Sequence, residues 1–107
     1  MSFTGPIAAL HNNAAHVAER LRLLAHRDRL IMLCRMTDGE VSVGELVTLT
    51  GLSQSSVSQH LAVLREAGTV SVRAEAQSRF YQLVDAQVAG ILAALCDYSG
   101  RIAGESA

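Results

Sequence analysis

The chain has 107 residues, half of them hydrophobic, with nine arginines, no lysine and ten carboxylates, for a formal charge of −1. That length supports one modest core, and the single proline and lack of a low-complexity run give no reason to expect a disordered linker. No apolar stretch is long enough to cross a bilayer, and Met1 to Ala9 lack the basic region and cleavage pattern of an export signal, so a soluble cytoplasmic protein of one domain, residues 1–107, is expected.

Pro6 suits the first position of a helix, and Ile7, Leu10, Ala14, Val17, Leu21 and Leu24 then recur at spacings of three and four. This seam predicts a first helix over 6–25 that is longer than one small core requires, so part of it is expected to meet a second copy of the chain. After a break near His26, Arg27 to Thr37 predict a second helix with Leu30, Ile31, Leu33 and Cys34 on one side, stopped by Asp38-Gly39. Ser42 and Glu45 make a capping box for a short third helix carrying Leu46, Val47 and Leu49 up to Gly51. Ser53 caps a fourth, in which Val57, Leu61 and Leu64 share one face and Gly68 marks the end.

Two β-prone runs follow, Thr69 to Arg73 and Arg79 to Val84, joined by a five-residue tip, Ala74 to Ser78. Asp85 opens a last helix, over 85–103, with Val88, Ile91, Leu92, Leu95 and Cys96 on one face. The expected fold is therefore mainly α with a small β-hairpin wing: four helices, a hairpin and a fifth helix, paired as a homodimer through the first and last helices.

A short helix, a tight turn at Thr50-Gly51-Leu52 and a second helix opening with Ser and Gln form a helix-turn-helix over 42–67, and the hairpin over 69–84 makes it winged. In that arrangement the second helix enters the major groove of duplex DNA. Gln54, Ser55, Ser58 and Gln59 can each donate and accept hydrogen bonds and are the base-facing candidates. Arg73 and Arg79 flank the wing tip, and His60 and Arg65 are further phosphate candidates. A globally basic chain is not needed, because phosphate contacts act within a Debye length of about 8–10 Å. Ser and Gln on a lone helix would read as ordinary solvated surface; the hairpin that follows changes that reading. A protein-docking winged helix would carry apolar anchors in their place.

The run Leu24 to Leu30, then Val43 to Leu46, then Leu52-Ser-Gln-Ser-Ser-Val-Ser-Gln-His-Leu-Ala-Val-Leu-Arg-Glu-Ala-Gly68 closely resembles the ArsR/SmtB family of bacterial repressors, over about residues 17 to 98. The resemblance implies a homodimer bound to an inverted-repeat operator and released when an inducer is sensed. Of two metal sites used in that family, one has neither of its cysteines here and the other keeps only one of its four ligand types. Ser42 and Gly44 stand where a Cys-Val-Cys element would lie, and Asp85, Gln87, Tyr98 and Arg101 where an Asp-x-His set would lie.

Cys34 and Cys96, 62 positions apart, each fall on the apolar stripe of a helix, and residue physics alone reads them as small buried hydrophobes. Their placement resembles that of the BigR/SqrR/HlyU subgroup, which implies a dithiol that senses reactive sulfur species or oxidants. The alternative is a metal- or arsenite-responsive repressor using the same cysteines with a third donor such as His26 or Asp97. No cofactor and no metal ligand set is assigned, and His11 and His16, at i and i+5, share no helix face. A Gly-rich phosphate loop and a nucleophile elbow are both missing, so no enzyme is expected.

Overall fold

A computed structural model describes the backbone of residues 4–106 and the side chains of 4–98 and 100, which leaves Met1 to Phe3 and the Arg101 side chain outside the described residues. The elements are α1 (Gly5–Leu24), α2 (Arg27–Met36), β1 (Val41–Ser42), α3 (Val43–Thr50), α4 (Gln54–Glu66), β2 (Val70–Glu75), β3 (Ser78–Leu83) and α5 (Ala86–Ser106). Side-chain caps define the helix starts. The His26 ring accepts the Asp28 amide at the head of α2, Ser42 Oγ the Glu45 amide at α3, and Ser53 Oγ the Ser56 amide at α4.

The core gathers one stripe from each helix. Leu46 of α3, Val57, Leu61 and Leu64 of α4, and Val88 and Leu92 of α5 are fully buried, as their spacing predicts. In α2 the buried face is Met32, Leu33 and Met36, while Leu30, Ile31 and Cys34 are half-buried. The buried stripe is shifted from the expected one because α2 packs against α1, α3, α5 and β3 and so is covered on more than one side.

Two features differ from the expected hairpin. The sheet has three strands in the order β1-β3-β2, all antiparallel, with Val41 opposite Tyr81 and Ser42 opposite Phe80. A two-residue strand carries no periodic signal, so β1 is invisible in the sequence. Strands β2 and β3 also run further toward the tip, pairing Glu75 with Ser78, which leaves Ala76-Gln77 as the connection in place of five residues. Ala76 adopts φ 55°, the left-handed conformation that such a tight hairpin demands.

The seam on α1 divides. Leu24 is buried, whereas Ile7, Leu10 and Leu21 are exposed, as are Leu95 and Tyr98 on α5. The radius of gyration, 16.0 Å, exceeds the roughly 13 Å of a compact chain of this length, as projecting terminal helices require. No helix among the described residues is long and apolar enough to cross a membrane.

Candidate nucleic-acid interface and thiol pair

The turn between α3 and α4 is built by local chemistry. Gly51 takes φ 74° and its amide reaches back to the Val47 carbonyl at 2.9 Å, ending α3 in a left-handed cap. Thr50 Oγ1 donates to the Leu46 carbonyl and accepts the Leu52 amide, holding the chain until Ser53 starts the next helix. With Val57, Leu61 and Leu64 buried, α4 turns Gln54, Ser55, Ser58 and Gln59 to solvent. The helix, turn and helix thus present four uncharged polar side chains on a fixed face.

Between α4 and the wing lies an open groove. Gln54, Ser58 and Arg65 line one wall, and Gln77, Ser78 and Arg79 the other. The structure therefore brings four of the eight candidate contact residues, Gln54, Ser58, Arg65 and Arg79, around one concavity, with Ser55 and Gln59 exposed on the same helix.

The remaining two have other surroundings. Arg73, on β2, makes a two-pronged contact with the Glu40 carboxylate at 3.0 and 3.2 Å, bonds Glu75, and lies over the Phe80 ring at 4.8 Å. Hydrogen bonds to Glu40 and Glu75 raise its pKa above the ordinary arginine value, and the Arg73 guanidinium holds Glu40 below the usual carboxylate range. His60 is half-buried and packs edge-to-face on His26, ring centroids 4.5 Å apart.

Helices α2 and α5 bring the two cysteines together: Cys34 Sγ and Cys96 Sγ lie 3.8 Å apart, both as free thiols. Cys96 is exposed and Cys34 half-buried. Burial first, then the neighbouring Cys96, pushes the Cys34 thiol up to about 11. A cleft lined by Met36, Thr37, Val84, Asp85, Ala89 and Ala93 opens beside Cys96. Among the described residues, neither His26 nor Asp97 joins the thiols in a group of three metal-ligating side chains.

Two meetings of residues distant in sequence lie beyond the sequence-based expectations. Asp85 accepts the Gln87 and Val88 amides at the head of α5 and pairs with Arg20 Nε of α1 at 3.0 Å. His26 and His60, assigned separate roles from the sequence, share a corner with Asp28. Neither juxtaposition leaves a signal in local spacing.

Together the fold and the α4–wing groove define a winged helix-turn-helix regulator. Residues 26–72 match the model of the bacterial regulatory protein arsR family. The chain is 43% identical over 90 residues to the biofilm growth-associated repressor of Agrobacterium fabrum, covering 84% of this chain and 77% of that protein. It is also 43% identical over 83 residues to the transcriptional activator HlyU of Vibrio cholerae, covering 78% and 77%. Among solved structures it is similar to the transcriptional repressor BigR from Xylella fastidiosa, with TM-score 0.81, 38% identity, and coverage of 85% of this chain and 93% of that one. The chain belongs to the arsR family of bacterial regulatory proteins.

Proposed function

We propose that this chain is a homodimeric transcriptional repressor that reads an inverted-repeat operator and is released when reactive sulfur species or an oxidant joins Cys34 to Cys96. The carrying observation is the 3.8 Å separation of two thiols on helices that no local contact obliges to meet there. Gln54, Ser55, Ser58 and Gln59 face base edges, and Arg65 and Arg79 meet phosphate on either side. The relatives named as repressors support the sign of regulation.

The thiols divide the chemistry by exposure. Cys96, open to solvent, attacks the outer sulfur of a persulfide RSSH and expels RSH, becoming a persulfide itself. Cys34, kept protonated by burial until its proton is passed on, then attacks the sulfur attached to Cys96 and expels hydrogen sulfide. Two thiols and one RSSH thus yield one disulfide, RSH and H₂S. Bonding at about 2.05 Å requires the sulfurs to approach by roughly 2 Å, which pulls α5 toward α2. Recognition helices in a dimer must reach major grooves about 34–36 Å apart, so a small rotation of α5 weakens binding without touching a DNA contact.

The test measures affinity for an operator selected from random duplexes, before and after persulfide treatment. Wild type is expected to lose at least tenfold, and Cys34→Ser and Cys96→Ser to keep their affinity. An undiminished response in both variants overturns the switch while leaving DNA binding intact. The arsenite or metal alternative lacks a third donor beside the thiols among the described residues.

A further inference from the structure

We propose that His26, Asp28 and His60 form a binding site for a divalent transition-metal ion of the zinc class, bridging the head of α2 to the middle of α4. One ligand atom from each residue lies within 4.8 Å of the others, and all three side chains are half-buried. A tetrahedral ion with bonds of about 2.0–2.1 Å needs donors about 3.4 Å apart, a contraction within reach of small side-chain rotations. Two imidazoles and a carboxylate are a donor set that suits this class of ion, with water completing the fourth position. This site contains no cysteine and does not depend on the thiol pair.

The surroundings leave lone pairs available. His60 is half-buried with its ring edge-to-face on His26, centroids 4.5 Å apart, so both imidazoles already sit at one corner of the fold. The Arg29 guanidinium is engaged by the Leu23 and Arg22 carbonyls. Asp28 Oδ1 takes Arg27 at 2.9 Å, but the Arg27 side chain is 77% exposed and the pair is weak competition for a metal. His26 Nδ1 accepts the Asp28 amide at 3.2 Å as the cap of α2. Coordination through its other nitrogen places the proton on Nδ1 and gives up that one cap bond. The competing account is plain edge-to-face packing of two rings, and metal titration separates the two.

Zinc is titrated into tag-free full-length protein against a chromogenic chelator, for wild type and for the Cys34→Ser, Cys96→Ser double variant, and cobalt(II) spectra are recorded on the latter. Expected are one zinc per chain in both proteins and visible cobalt bands without the near-ultraviolet band of a thiolate ligand. In the double variant, His60→Gln and His26→Asn should each weaken zinc at least tenfold; His26→Asn retains a capping acceptor, so α2 stays folded. Absence of stoichiometric zinc in the double variant, or unchanged affinity in both histidine variants, overturns the site. Either result leaves the persulfide response untouched, so failure here is distinct from failure of the thiol switch.

Discussion

Arg73 and Arg79 occupy paired strands of the wing, yet their neighbours give them different work. Arg73 is committed to Glu40, Glu75 and the Phe80 ring, whereas Arg79 lines the groove opposite α4. Arg79→Ala is therefore expected to weaken operator binding at low salt, and Arg73→Ala to change it little. With Arg65 and Arg79 contributing in each protomer, the slope of log affinity against log salt should be about −4, falling to about −2 in Arg79→Ala. Equilibrium titrations over a salt series check both numbers. Ser58→Ala or Gln54→Ala should instead relax sequence preference, by about 1 kcal/mol for a single base-edge hydrogen bond and up to about 3 kcal/mol for a bidentate glutamine contact, with the salt slope unchanged. Thr69 presents a different residue-scale case: its Oγ1 is buried with no hydrogen-bond partner among the described residues. Thr69→Val removes that unpaired hydroxyl at similar volume and should stabilise the fold by about 1 kcal/mol in urea unfolding.

At the scale of elements, Asp85 joins three of them. Its carboxylate caps α5, its ion pair holds α1, and the Val84 and Asp85 amides bond the Thr69 carbonyl at the base of the wing. Burial alone would raise its pKa, but the Val88 amide, the Arg20 guanidinium and the Gln87 amide outweigh it and hold the group below the usual carboxylate range. A depressed pKa contributes stability that is fully present above the unfolded value of about 3.9 and is lost as pH falls through the lower folded value. Asp85→Asn keeps a capping acceptor and removes the charge. It should cost about 0.5–1 kcal/mol at pH 7, with the difference from wild type smaller at about pH 3, below the unfolded value. Urea unfolding at the two pH values reads this directly. The same pair places α1 where a movement of α5 reaches it, which is the link a thiol switch acting from α5 requires.

For the whole molecule, five of the eight exposed large apolar residues among those described lie on α1 and α5. Ile7 is 62% exposed and Leu10 55% exposed on α1, and Tyr98 is 62% exposed on α5, a distribution that one protomer leaves unburied and a second copy would cover. Leu10→Glu is expected to shift the protein toward monomer in sedimentation equilibrium. Operator affinity should fall by more than tenfold in parallel, because two half-sites are then bound independently. A monomer with full affinity would contradict the dimeric reading.

The five helices, the hairpin, their order and the face that α4 shows to solvent were legible in the sequence, because caps, glycine stops and helical periodicity act over four or fewer residues. Ser42 with Glu45, Gly51, Ser53 and the Val57-Leu61-Leu64 stripe each declare themselves locally. Decisions that depend on residues far apart in the chain belonged to the tertiary structure alone. Local spacing could not show that Val41 adds a third strand beside Tyr81, that Arg73 is bound to Glu40 while Arg79 lines the groove, or that His26 meets His60. The thiols are the clearest instance: the stripes on α2 and α5 mark Cys34 and Cys96 as helix-face residues, but only the packing of those two helices sets the sulfurs 3.8 Å apart.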